Sequence, residues 1–175
     1  MAVSIFIVRV PEAEPYVAQL RERFDPAARR GLGAHITVLY PFMPPDRVDQ
    51  TVLGRVQAVA STLAPFAFQL TRVARFPGTL YLAAHPAAPF VALNARLRNE
   101  FPVSPRHRGK SRSLVPHLSV VRKSDVDDRA AEAGLALVLE THGPIACMCR
   151  QVELIEDSSG LWRPMQGFAL SAARR

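Results

Sequence analysis

The spacing of apolar residues at the start of the chain predicts a strand and then a helix. Val3 to Val10 is an apolar run rich in β-branched residues, which indicates a buried strand. A helix is then expected from Pro11 until Asp25-Pro26 ends it. Its apolar stripe consists of Tyr16, Val17, Leu20 and Phe24. A basic, glycine-bearing link at residues 29–33 follows this helix.

The middle of the chain shows the same two periods. A helical spacing of Val48, Val52, Val56, Val59 and Leu63 predicts a helix that starts near Pro44 and ends at Pro65. Alternating patterns predict strands at Phe66–Ala74 and Thr79–Ala84, joined as a hairpin around Pro77-Gly78. A further helix follows, with the stripe Phe90, Leu93, Leu97 and Phe101.

The last third is expected to repeat this order. A polar loop from Pro102 to Val115 precedes a strand, and a helix follows over about Asp125 to Glu140. The closing pattern predicts a second hairpin, formed by Ala146–Glu156 and Leu161–Leu170.

Two short segments carry the same pattern of histidine, apolar residue and hydroxyl residue. Residues 34–42 read A-H-I-T-V-L-Y-P-F, and residues 116–123 read P-H-L-S-V-V-R-K. Successive side chains of a strand point to opposite faces, so His35 shares a face with Thr37, and His117 shares one with Ser119. Each segment therefore offers an imidazole and a hydroxyl on one face of a strand.

The order of elements predicts an internal duplication. His35 and His117 lie 82 residues apart, and Tyr81 and Trp162, in the two hairpins, lie 81 apart. We therefore expect one α+β domain over residues 1–175, with pseudo-repeats at about 11–85 and 88–171. In it, two pseudo-symmetric lobes of antiparallel sheet with flanking helices would place their histidine strands at a central cleft.

Charge and composition favour an anionic partner. The chain has 22 Lys+Arg against 15 Asp+Glu, a net charge of +7, and Lys110 and Lys123 are its only lysines. Arginine suits bidentate contacts with phosphate. The richness in arginine, alanine and proline has an alternative explanation in genomic base composition.

Composition also argues against several classes of protein. Cys147 and Cys149 are too few for a disulfide scaffold or a four-cysteine zinc site, and the remaining histidines lie at spacings unrelated to the two motifs. We therefore expect no metal and no cofactor. No apolar run approaches a membrane-spanning length, so a cytoplasmic protein without a membrane partner is expected.

Two histidines facing one cleft can act as a base and an acid, because imidazole titrates near pH ~6.5. One would take a proton from the attacking oxygen while the other gives a proton to the leaving oxygen. Thr37 and Ser119 would donate hydrogen bonds to phosphate oxygens between them, where charge builds up. This set of groups suits phosphodiester chemistry.

The paired motifs resemble those of the two-histidine (2H) phosphoesterase superfamily, and the chain is most similar to its bacterial 2′-5′ RNA ligase-like proteins. The resemblance covers nearly the whole chain and implies a 2H phosphoesterase-like fold. It also implies a metal-independent phosphodiesterase of nucleoside 2′,3′-cyclic phosphates or related cyclic and 2′-5′ phosphodiesters. The catalytic histidines would be His35 and His117, and the phosphate-binding residues Thr37 and Ser119.

Four further residues are weaker candidates for contacting the substrate. Tyr40 and Arg122 stand five positions after the two histidines, where alternation points them away unless the strand bends or ends. Phe42 would stack on a base or cap the core. Lys110 lies in the basic loop at residues 106–112, which would form either a solvated segment or an electrostatic rim.

Alternative functions remain open at this point. A 2′-5′ RNA ligase would run the same chemistry in reverse on RNA ends. An RNA-binding module with little turnover would use the basic surface, although the chain has neither a row of stacking aromatic residues nor an arginine-rich recognition helix. No obligate protein partner is indicated, and nothing requires more than a monomer.

Overall fold

The computed structural model describes residues 2–102, 114–122 and 129–171. Within these ranges the chain forms two antiparallel four-stranded sheets with flanking helices, which confirms the predicted α+β class. The strands are β1 (Ser4–Arg9), β2 (His35–Leu39), β3 (Phe66–Phe76), β4 (Thr79–His85), β5 (His117–Arg122), β6 (Ile145–Cys149), β7 (Gln151–Glu156) and β8 (Arg163–Ala169). The helices are α1 (Glu14–Phe24), α2 (Pro26–Arg29), α3 (Gln50–Ala60), α4 (Ala88–Glu100) and α5 (Arg129–His142).

Each sheet has a histidine strand at one edge. The strand order is β2-β1-β7-β8 in the first sheet and β5-β4-β3-β6 in the second. In both sheets the histidine strand pairs with the strand that precedes it along the chain. Arg9 is paired with His35, and Ala83 is paired with His117.

The sheets do not coincide with the two expected repeats, because the halves of the chain exchange strands. The β3–β4 hairpin, expected beside His35, lies in the sheet of His117, and β7 lies in the sheet of His35. Tyr81 is therefore next to a histidine strand, whereas Trp162 precedes the outermost strand β8, so these two residues do not occupy equivalent places. The duplication itself stays a prediction.

The helices interlock the halves further. Helix α1, from the half of the chain that contains β2, packs against β5. Helix α4, which precedes β5, packs against β2. Most buried apolar residues form one continuous core between the sheets and helices, with members such as Phe6, Leu82 and Leu97. A single core shared in this way makes the two halves parts of one folding unit.

The structure corrects the bounds of several predicted elements, and α1 begins at Glu14 rather than at Pro11. The strand expected at Ala146–Glu156 is interrupted at Arg150, and its two parts, β6 and β7, pair in different sheets. Helix α3 begins at Gln50 rather than near Pro44, because Asp49 caps it by accepting a hydrogen bond from the Val52 N–H at 2.8 Å. The residues between Pro45 and Arg47 form a separate 3-10 turn.

Helix α5 is described from Arg129 onwards, and the start of the helix expected at Asp125 lies outside the described residues. In the described part of the chain, none of the helices combines the length and the apolar character needed to cross a bilayer.

Candidate active site

The four motif residues line one cleft between the two sheets. Its volume is about 680 Å³, and His35, Thr37, His117 and Ser119 are all part of its lining. The remaining lining residues are Ile5, Asp25, Pro26, Ala27, Arg30, Leu32, Tyr40, Phe76, Thr79, Arg122 and Trp162. The two imidazoles thus face a common space of the size that small-molecule sites have in proteins.

Both imidazoles are oriented in the same way by the backbone that precedes them. Nδ1 of His35 donates a hydrogen bond to the carbonyl oxygen of Gly33 at 2.8 Å, and Nδ1 of His117 donates one to that of Val115 at 2.7 Å. A carbonyl oxygen only accepts, so Nδ1 carries the proton in each neutral ring. Nε2 is then the nitrogen that can take up or release a proton in each ring.

The segment that orients His35 is held by side chains of α1. Glu14 accepts a hydrogen bond from the Ala34 N–H, and Arg21 Nη2 donates one to the Leu32 carbonyl oxygen at 3.0 Å. Between them lies Gly33, where a Cβ would come within 2.6 Å of the Glu14 carboxylate. The glycine therefore leaves room for the Glu14 carboxylate to reach the Ala34 N–H.

A buried ion pair supports the same segment. Arg21 and Asp25 are 1% and 0% exposed, and Arg21 Nη2 lies 2.8 Å from Asp25 Oδ2. The other carboxylate oxygen of Asp25 accepts a hydrogen bond from the Ala27 N–H at 3.0 Å, which caps α2. Asp25 also lines the cleft, so this pair joins helix α1 to the wall beside His35.

Burial keeps both histidines neutral at neutral pH. His35 is 8% exposed, and burial lowers its pKa to about 4; the hydrogen bond to Gly33 and the charge of Asp25 oppose the shift, whereas Arg21 and Arg122 add to it. Burial also lowers the pKa of the half-buried His117, and Arg122 adds to that shift. Desolvation disfavours the charged imidazolium at both positions.

Two aromatic side chains of the second sheet fix the ring of His117. Phe76 and Tyr81 stack on each other at 4.3 Å between ring centroids, and each ring centroid lies 5.0 Å from that of His117. Tyr81 is also paired with Ser119 across β4 and β5. This aromatic pair was not among the predicted site residues, since its place depends on strand pairing distant in sequence.

A bulge in each histidine strand returns its end to the cleft. The register of β1 and β2 shifts so that Phe6 opposes Leu39 while Ile7 opposes Thr37. In the same way Leu80 opposes Val121 while Tyr81 opposes Ser119. One extra residue in each strand inverts the alternation that follows it.

These bulges explain why two weaker candidates reach the cleft. Tyr40, which is 62% exposed, and Arg122 both line it, although strict alternation would have pointed them away from the histidines. At each bulge two consecutive residues are buried, Val38-Leu39 in β2 and Val120-Val121 in β5. Both pairs interrupt the alternation of buried and less buried positions in their strands.

The other candidates lie elsewhere. Phe42 packs against Phe6 and Phe101 at 4.7 and 5.1 Å between ring centroids, and it does not belong to the cleft lining. Lys110 and the whole basic loop at residues 106–112 lie outside the described residues. Trp162, which the sequence analysis used only for the spacing of the repeats, is half-buried and lines the cleft.

The described residues contain no group of three or more His, Cys, Asp or Glu side chains that could hold a metal ion. Cys147 and Cys149 are buried free thiols, and burial raises the pKa of both to about 12. A thiol with such a pKa is protonated and unreactive at neutral pH. Both cysteines therefore act as small core side chains.

The chain is similar to one described protein family and to several solved structures. The family model described as the 2′-5′ RNA ligase superfamily matches residues 10–161. Among solved structures, the chain is similar to TT0787 of Thermus thermophilus, with 16% identity over 98% of this chain and 100% of that chain and a TM-score of 0.70.

Two structures of Escherichia coli LigT are also similar to the chain. The complex with 3′-AMP has 16% identity over 96% of this chain and 97% of that chain, with a TM-score of 0.63. The complex with NADP+ has 17% identity over 97% of both chains, with a TM-score of 0.61. At such identities these structures establish a common fold. No curated protein sequence matches the chain.

Proposed function

Since the chain belongs to the 2′-5′ RNA ligase superfamily, as its resemblance to the two-histidine phosphoesterases predicted, we propose that it is a metal-independent phosphodiesterase. Its substrates would be nucleoside 2′,3′-cyclic phosphates or related cyclic and 2′-5′ phosphodiesters. The E. coli LigT structures contain 3′-AMP, NADP+ and ATP, and these ligands support a nucleotide substrate by analogy.

One observation carries the proposal. Two imidazoles, each with Nδ1 donating to a backbone carbonyl group two residues before it, line the same cleft together with two hydroxyl groups. A neutral imidazole fixed in this tautomer is able to accept a proton at Nε2, and its protonated form donates from the same atom. A phosphodiester between His35 and His117 would meet one proton acceptor and one donor.

The proposed hydrolysis needs two proton transfers. One histidine takes a proton from water as the water oxygen attacks phosphorus. The other gives a proton to the ribose oxygen as its bond to phosphorus breaks, and the product is a phosphomonoester. Each transfer contributes about 10²–10⁴-fold to the rate. The binding of an anionic phosphate raises the pKa of both histidines, so protonation becomes easier once the substrate is bound.

Hydroxyl groups and one arginine complete the proposed phosphate site. Thr37 and Ser119 would donate hydrogen bonds to the non-bridging oxygens, whose charge increases in the transition state. Arg122 lines the cleft and lowers the pKa of both histidines, so its positive charge acts on the space between them. Among the described residues Arg122 forms no ion pair, which leaves its guanidinium group available to a phosphate.

The same residues would also serve ligation, which is the reverse of the cleavage of a 2′-5′ phosphodiester to a 2′,3′-cyclic phosphate and a 5′-hydroxyl group. Joining a 2′,3′-cyclic phosphate end to a 5′-hydroxyl end requires a base for the attacking hydroxyl group and an acid for the leaving oxygen. The family description supports ligation of this kind as a second activity. The product then depends on whether water or an RNA hydroxyl group attacks the phosphorus.

The test is a turnover assay in the presence of EDTA. Purified protein is incubated with nucleoside 2′,3′-cyclic phosphates and with 2′-5′-linked dinucleotides, and the phosphomonoester and nucleoside products are separated by chromatography. We expect turnover with EDTA present, and we expect His35→Ala and His117→Ala each to lower kcat by about 10²–10⁴-fold. His85→Ala is the matched control, because His85 is an exposed histidine at the end of β4, outside the cleft lining.

Other outcomes would support other functions. Dependence of turnover on added metal would overturn metal independence, and turnover that survives both substitutions would overturn the assignment of the histidines. Absence of turnover together with tight, strongly salt-dependent RNA binding would support an RNA-binding module instead.

A further inference from the structure

A small apolar cluster lies on the cleft face of the first sheet, apart from the main core. Its buried members are Ile5, Ile7, Leu32 and Ile155. Ile5 and Leu32 line the cleft, and Ile7 is paired with Thr37. Ile5 and Leu32 therefore form an apolar floor of the cleft, and they belong to the same cluster as Ile7, the strand partner of Thr37.

Arg30 and Trp162 form the wall next to this floor. Trp162 packs against the apolar cluster, and the guanidinium carbon of Arg30 lies 5.1 Å from the centroid of its ring. The backbone joins them too, since the Trp162 N–H donates to the Arg30 carbonyl oxygen at 2.9 Å. Both residues line the cleft.

Two hydrogen bonds hold the Arg30 side chain in place. Its Nε donates to the Gly160 carbonyl oxygen at 2.8 Å, and its Nη2 donates to Asp157 Oδ2 at 2.8 Å. Burial raises the pKa of Asp157, but the hydrogen bonds from Arg30 and from the Val3 N–H lower it by more, so the carboxylate is charged. The charge of Arg30 is thus largely compensated, and the residue presents a planar face more than a net charge.

We propose that Arg30 and Trp162 form a nucleobase subsite, in which the base of a nucleoside phosphate packs on the guanidinium and indole groups above the floor of Ile5 and Leu32. This inference rests on the proposed function for the position of the phosphate, between His35 and His117. It restricts the substrate class to nucleotides, because a phosphodiester without an aromatic base would leave the subsite empty.

The chemistry of the subsite matches that of a base. Nucleobases stack on aromatic rings and on arginine planes, and their apolar faces favour a floor without charge. The Arg30 side chain is held before the ligand binds, so little conformational entropy is lost on binding. Arg122 differs from Arg30 in its position and in its partners. It lies on the opposite sheet, and it has no ion-pair partner among the described residues.

The subsite contains its own probe, because Trp162 is the single tryptophan of the chain. Titration of the wild-type protein with 3′-AMP, followed by tryptophan fluorescence and by calorimetry, is compared with titration with the methyl riboside 3-phosphate, which lacks a base. We expect 3′-AMP to bind about tenfold more tightly and to change the Trp162 emission. Equal affinities of the two ligands would overturn the subsite.

Variants test the same point independently. Arg30→Met should reduce the affinity for 3′-AMP by about fivefold or more and leave that for the base-free phosphate unchanged. Arg55→Met is the matched control, because Arg55 also lies over an aromatic ring, Phe101, and also pairs with a carboxylate, that of Glu100, but outside the cleft. An equal loss of affinity for both ligands in Arg30→Met would indicate that Arg30 contacts the phosphate. It would overturn the proposal that the base stacks on Arg30.

Failure of the subsite and failure of the proposed function give different results. If the chain lacks phosphodiesterase activity but binds through the subsite, 3′-AMP still binds more tightly than its base-free counterpart. If the chain is a phosphodiesterase without this subsite, it hydrolyses methyl riboside 2,3-cyclic phosphate as efficiently as adenosine 2′,3′-cyclic phosphate, and the two affinities are equal.

Discussion

Arg21 and Asp25 form an ion pair that is almost completely removed from solvent, with 2.8 Å between Nη2 and Oδ2. The pair links the end of α1 to the first turn of α2 and so supports the segment that orients His35. Its position at the cleft wall beside His35 makes it a positioning element, since Arg21 also holds the Leu32 carbonyl group.

Removal of the carboxylate should destabilise the protein strongly. Asp25→Ala leaves the Arg21 charge buried without its partner, and a buried unpaired charge costs about 3–5 kcal/mol of the free energy of unfolding. Urea denaturation followed by circular dichroism measures this change. The double variant Arg21→Met/Asp25→Ala should recover part of the loss, because it removes both charges.

A surface ion pair provides the control for this measurement. Glu100 pairs with Arg55, and both side chains are substantially exposed, so Glu100→Ala should cost less than about 1 kcal/mol. A cost for Asp25→Ala as small as that for Glu100→Ala would contradict the assigned role of the buried pair.

The hydroxyl groups of Thr37 and Ser119 should affect turnover more than binding. Thr37→Val keeps the shape of the side chain but removes the hydroxyl group proposed as a donor. Ser119→Ala removes the corresponding hydroxyl group in β5. We expect each to lower kcat by about 10²-fold, since the hydrogen bond matters most where charge builds up in the transition state. Steady-state kinetics on a nucleoside 2′,3′-cyclic phosphate measures the effect.

Thr37→Ser is the conservative variant for this test, because it restores the hydroxyl group and removes only a methyl group. It should keep most of the wild-type kcat. If Thr37→Val and Thr37→Ser had the same kcat, the hydroxyl group of Thr37 would have no part in catalysis.

The pH dependence of kcat/KM should have its maximum below pH ~6.5. A base-and-acid pair works best between its two pKa values, and kcat/KM reports those of the free enzyme. Burial lowers both values below 6.5, that of His35 to about 4. The optimum of kcat should lie at higher pH, since the bound phosphate raises both values.

Arg122→Met tests the electrostatic part of this prediction. Arg122 lowers the pKa of both histidines, so its replacement by an uncharged residue should move the kcat/KM optimum to higher pH. Arg55→Met, outside the cleft, should leave the optimum in place. A kcat/KM optimum of the wild-type protein at or above pH ~7 would be incompatible with buried, neutral histidines in the free protein.

Folding stability should depend on pH through His35. Its pKa is lower in the folded state, so the unfolded chain binds more protons between pH 6.5 and about 4. The free energy of unfolding is therefore highest above pH ~6.5, where His35 is neutral in both states. It decreases by about 3 kcal/mol in total as the pH falls toward 4. Urea denaturation of His35→Gln at several pH values in this window should show a shallower decline than the wild type. An identical decline in both proteins would mean that His35 is not buried in its neutral form.

Local periodicity was enough to predict much of the fold. Helix α1 and the strands β3 and β4 were predicted from apolar spacing alone, because burial of one face acts over neighbouring residues. The same reasoning placed His35 with Thr37, and His117 with Ser119, on common faces, and all four line the cleft.

Pairing across long sequence separations decided the rest. Which strands share a sheet depends on contacts between distant segments, so the exchange of β3 and β7 between the halves could not be predicted from periodicity. The bulges that turn Tyr40 and Arg122 into the cleft are properties of paired strands, not of one strand.

The imidazole and the hydroxyl group on each histidine strand follow from residue identity and alternation, which are local properties. The surroundings of these groups depend on how separate elements pack. The burial of His35, the ion pair of Arg21 with Asp25, and the approach of Arg30 to Trp162 all join residues through the packing of separate elements. Burial and neighbouring charge, not sequence position, set the pKa of an imidazole.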